Sequence, residues 1–77
     1  MKLAEIKRLS EQYTLEQLQA ALDHFRAHAT YPFAVVGDND GERYTHVFGA
    51  SWVLRYQQVE GCEQRTALRA YGALLRF

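Results

Sequence analysis

The sequence predicts an α+β fold that is mostly α: a small four-helix domain in the order helix–helix–short strand–helix–helix, with the strand paired across a dimer. Three stretches carry this expectation. Leu15, Leu18, Leu22, Phe25 and Ala29 recur three and four residues apart, the spacing of one packing face on a helix. Gly37 to Val59 holds a dense acidic turn followed by a long, largely apolar helical run with the only tryptophan, Trp52. Between them, Phe33–Val36 is short and partly β-branched, and is bounded by Pro32 and by Gly37, as a strand would be.

The first helix is predicted over Lys2–Gln12, where Leu3, Ile6 and Leu9 make a narrow apolar stripe. A restart follows: Thr14 is a helix cap, Gln17 three residues on completes a capping box, and Tyr13 is placed to staple onto Leu18. Pro32 then biases Tyr31 away from helical geometry and ends the second helix. The backbone of a lone strand at Phe33–Val36 needs partners. Either Glu42–Thr45 returns as a hairpin or the strand pairs with a second copy; the second fits better, because Glu42 onward suits a helix.

In the third helix Asp40 is the expected cap, with Glu42 favourable in the first turn. Ser51, Arg55 and Gln58 form a thin polar stripe, and the remaining girth is apolar or small. Such a helix is covered on more than one side. Gly49, Ala50 and Ser51 remove bulk where another backbone approaches, either the second helix or the same helix of a second subunit. Gly61 is a natural stop. The closing helix, Glu63–Arg76, puts Ala67, Leu68, Tyr71, Leu74 and Leu75 on one face and Arg65, Arg69 and Arg76 on the other.

Composition narrows the function. Seventy-seven residues make a single domain, 1–77, near the lower limit of independent folding, where oligomerisation often supplies stability. The lone Cys62 excludes an internal disulfide and argues against a structural zinc cluster. Nine basic residues balance nine acidic ones, so no net field draws nucleic acid or an anionic membrane. No apolar run is long enough to span a bilayer and no signal-peptide block opens the chain, so a cytoplasmic location is expected.

The opening MKLAEIKRLSEQYTLEQLQAA, the central GDNDGERYTHVFGASWVL and the closing TALRAY resemble a family of short bacterial proteins of unknown function. Its members share a MKL…IK first helix, an acidic Gly-bounded turn before a Thr-His helix start, and a Thr-Ala-Leu-Arg closing helix. Tyr44 replaces the usual aliphatic, and the surroundings of Cys62 also depart, so no role is carried to those positions. The resemblance implies a small soluble bacterial protein without an assigned activity or site. It also implies a genetic neighbourhood of thioredoxin-like and peroxiredoxin-like proteins, which makes a thiol-redox protein one candidate partner.

Two functional readings follow. The favoured one is a non-catalytic protein–protein interaction module, a homodimer or a subunit docked on another protein, without cofactor or metal. Phe33, Val35, Gly49, Trp52, Val53 and Tyr56 would form its interface, and aromatic side chains are the usual anchors of such surfaces. The alternative is a small-molecule, metal or redox site built around His46 with Cys62 or with the His24/His28 pair. His24 and His28 stand at i and i+4, a spacing that brings two imidazoles to one ion. His46 is expected to face inward near a helix N-terminus, most simply bonded to a carbonyl or a tyrosine. Cys62 precedes a helix, where a thiol becomes reactive when its environment is right, but no second cysteine accompanies it. Asp38–Gly41 lacks the ligand spacing of a calcium loop and is expected to be a turn.

Overall fold

The computed structural model describes residues 1–75, so Arg76 and Phe77, assigned above to the closing helix and the chain end, lie outside the described residues. Among the described residues the fold has four helices: α1 (Leu3–Gln12), α2 (Leu15–His28), α3 (Asp40–Glu60) and α4 (Gln64–Leu74). No strand occurs among the described residues. The fold is therefore a helical bundle, and the expected α+β class, with a strand shared across a dimer, is wrong.

The reason lies in how the Phe33–Val36 backbone is satisfied. Its polar groups bond to side chains on two helices rather than to another strand. Arg8 of α1 donates to the Ala34 carbonyl at 3.2 Å, and the Val36 N–H donates to a Glu5 carboxylate oxygen at 2.9 Å. The Val36 carbonyl lies 2.7 Å from Nδ1 of His46 on α3. A strand-like composition needs backbone partners, but nothing in local composition says that they must be backbone. Glu42–Thr45, the alternative hairpin partner, belongs to α3.

Local sequence chemistry sets the other boundaries. Thr14 and Gln17 form the capping box at α2: the Gln17 N–H donates to the Thr14 hydroxyl at 3.1 Å, and the Thr14 N–H donates to the Gln17 side chain at 2.9 Å. Ala29 closes α2 in the left-handed region (φ 58°), and Gly61 closes α3 in the same way (φ 62°). The α3 cap is Asn39 rather than Asp40, because the Asn39 side chain accepts the Glu42 N–H at 2.8 Å and leaves Asp40 as the first helical residue.

The longest helix, α3, is the spine, and α1, α2 and α4 all pack against it. The core comprises Ile6 and Leu9 of α1, Leu18, Ala21 and Leu22 of α2, Val47, Ala50 and Val53 of α3, and Ala67 and Tyr71 of α4. Each fully buried aliphatic contributes about 1.5–3 kcal/mol of transfer free energy. Leu74 and Leu75, expected on the core face of α4, are instead exposed. Gly49 marks the tightest approach: a Cβ there would stand 2.8 Å from Ile6 Cδ1 and 3.0 Å from the Tyr71 ring. The close neighbours are thus α1 and α4, where α2 or a second subunit was expected.

Candidate functional site

Two polar assemblies and one open surface stand out. The first assembly joins α1, α3 and the 33–36 segment. Glu5, only 5% exposed, receives two bonds from the Arg8 guanidinium, at 2.7 and 2.6 Å. Its bond with Arg8 holds the Glu5 carboxyl below its ordinary value; the Val36 N–H acts in the same direction, and burial opposes both. His46 is fully buried and is bonded at both ring nitrogens. The Lys2 N–H donates to Nε2 at 2.9 Å, which places the ring proton on Nδ1, facing the Val36 carbonyl. With both nitrogens occupied and no solvent access, this imidazole ties the start of α1 to the chain before α3. Its geometry is that of a structural clamp.

The second assembly is His24 with His28, on the last turns of α2. Their ring centroids are 4.8 Å apart. His24 Nδ1 lies 2.8 Å from the Thr30 carbonyl oxygen.

The open surface belongs to α3. The spacing of Phe48, Trp52, Tyr56 and Val59 lines them up along one side of the helix. Phe48 is 45% exposed and Val59 74%, while Trp52 and Tyr56 are half-buried and stacked at a centroid distance of 5.0 Å. Trp52 also leans on Tyr71 of α4, with 5.3 Å between centroids, so α4 steadies the row from beside it. On the α2 side a groove of about 370 Å³ runs between Leu22, Asp23 and Arg26 of α2 and Phe48, Trp52 and Arg55 of α3. Among the described residues, Arg55 makes no ion pair, while Asp23 and Arg26 pair with each other at 3.0 Å. The molecule measures 33 × 26 × 18 Å along its principal axes.

The residues singled out from the sequence do not converge on one site. Gly49 and Val53 are buried inside the chain's own core. Trp52 and Tyr56 lie in the open row. Phe33 stacks on Tyr13 at 4.0 Å and Val35 packs against the core, a separate cluster from the Trp52 row. Cys62 sits half-buried in the α3–α4 link, its carbonyl accepting from the Gln57 side chain at 3.4 Å, with no bond to His46. Among the described residues, no group of three or more His, Cys, Asp or Glu side chains is placed to hold a metal. Sequence reading passed over Phe48 and Val59 as surface anchors, although their register with Trp52 and Tyr56 was available. It also passed over Glu5, for which the i,i+3 pairing with Arg8 was the only local sign.

A family of unknown function, DUF6952, matches residues 1–76. The chain belongs to this family. The match spans nearly the whole length, in agreement with the resemblance drawn from the opening, central and closing motifs. No curated protein and no solved structure matches the chain. No helix among the described residues is long and apolar enough to cross a membrane.

Proposed function

We propose that this member of the family is a non-catalytic protein-interaction module that associates with a second copy of itself through the open side of α3. The observation that carries this reading is the Phe48–Trp52–Tyr56–Val59 row on the central helix, whose ends Phe48 and Val59 are exposed while the stacked Trp52 and Tyr56 between them are half-buried. Aromatic anchors on a fixed helix are the residue types that dominate association energies. A second copy is the occupant favoured by charge. The rim of the face carries both signs, the Asp23–Arg26 pair on α2 and Arg55 on α3, so it presents no single-sign field to a second copy. The chain as a whole has no net charge to oppose self-association.

Sedimentation equilibrium over a range of concentrations tests the proposal. The expected result is a mass that rises to twice the chain mass, with Phe48→Glu and Val59→Glu each holding the protein at the monomer mass while helical circular dichroism is unchanged. A wild-type protein that stays monomeric at high concentration would overturn it.

A further inference from the structure

We infer that His24 and His28 form a chelating site for one late first-row divalent cation, of the zinc, nickel or copper(II) class. Three observations combine. The residues stand one helical turn apart near the C-terminal end of α2, so both imidazoles lie on one side of the helix. Their ring centroids are 4.8 Å apart, close enough for one ion to be reached by a nitrogen of each. The decisive one is the orientation of His24, whose Nδ1 is engaged with the Thr30 carbonyl oxygen at 2.8 Å. A carbonyl can only accept, so the ring proton lies on Nδ1 and the Nε2 lone pair is left for a metal. This is the outer bond that accompanies metal-ligating histidines: it fixes the tautomer and the ring plane and raises the basicity of the ligating nitrogen. The Thr30 carbonyl is brought into place by the turn that follows the left-handed Ala29, so the backbone that ends α2 also orients the first ligand.

The donor set decides the class of ion. Two neutral imidazoles suit zinc, nickel and copper(II), whereas calcium and magnesium require oxygen ligands. With two protein ligands the remaining positions are taken by water, which makes the site an open one. Once one imidazole has bound, attack by the second is intramolecular, and this favours the pair over either residue alone.

The test is isothermal titration of tag-free protein with nickel chloride and with zinc chloride, using calcium chloride as the control. One nickel or zinc ion per chain is expected, with no calcium binding. His24→Asn and His28→Asn should each weaken nickel binding by about 10- to 100-fold, and Cys62→Ser should leave it unchanged. Among the described residues His28 makes no hydrogen bond, so His28→Asn reports on the site even if His24→Asn disturbs the end of α2. Nickel-dependent changes in the ring-nitrogen resonances of both histidines provide a readout independent of affinity. Unaltered binding in both histidine variants, loss of binding in Cys62→Ser, or a stoichiometry other than one ion per chain would overturn the assignment.

Discussion

His46 Nδ1 sits 2.7 Å from the carbonyl oxygen of Val36, and the other nitrogen of the same ring accepts the Lys2 N–H at 2.9 Å. A single buried side chain thus joins the N-terminus of α1, the 33–36 segment and α3. Replacing it with alanine removes both bonds and empties a fully buried site. His46→Ala should lower stability by about 2–4 kcal/mol, measured by urea unfolding. His46→Phe, which keeps much of the volume but neither bond, should also be clearly destabilised. Near-wild-type stability in both variants would show that the clamp contributes little.

Glu5 makes acid stability a second test. Its folded-state carboxyl is held below the ordinary value of 4.5, first by its bond with Arg8. A depressed value means that the stabilisation is fully present above the unfolded-state value and is lost as pH falls through the folded-state one. Glu5→Gln should therefore destabilise the protein at neutral pH by about 1–3 kcal/mol. The gap to wild type should shrink as pH drops below 4.5. A gap of constant size across that range would contradict the assigned role.

A Cβ on Gly49 would stand 2.8 Å from Ile6 Cδ1 and 3.0 Å from the Tyr71 ring, so a side chain there forces these neighbours to shift. Alanine gains about 1 kcal/mol of helix propensity over glycine, yet overpacking costs about 1–3 kcal/mol. Gly49→Ala should therefore be neutral to moderately destabilising, and Gly49→Leu should abolish the cooperative thermal transition. A folded Gly49→Leu protein with altered mass would instead return Gly49 to the surface.

The Tyr31 hydroxyl is buried without a hydrogen-bond partner among the described residues, and burial raises its pKa above the ordinary value of 10.0. Removing a buried, unsatisfied polar atom relieves a desolvation cost. Tyr31→Phe should keep the stack on Phe25 and raise stability by about 1 kcal/mol, seen as a higher Tm. A fall in Tm would mean that the hydroxyl has a partner in solution.

These contacts also show how far the sequence could be read. The capping box at Thr14 and Gln17, the Gly61 stop and the burial of α3 on several sides are local or periodic signals, and the chain declares them. What failed was the Phe33–Val36 strand, because its partners are Glu5, Arg8 and His46, distant in sequence and on two different helices. The same limit explains Gly49: the sequence shows that something approaches closely there, but only the fold shows that it is Ile6 and Tyr71. On the open side of α3, Trp52 and Tyr56 stood out by residue type. Phe48 and Val59 did not, since burial of one side of a helix that is apolar nearly all round cannot be told from its periodicity. The interface residues drawn from composition therefore mixed core with surface.

Trp52, the only tryptophan, sits within the face proposed to associate, so its fluorescence reports on that face directly. The measurement is acrylamide quenching of Trp52 in wild type and in Phe48→Glu across a wide dilution series. In concentrated wild-type protein Trp52 should be protected, and dilution should raise its quenching towards that of Phe48→Glu, which should show no concentration dependence. Equal quenching of both proteins at every concentration would contradict association through the open side of α3.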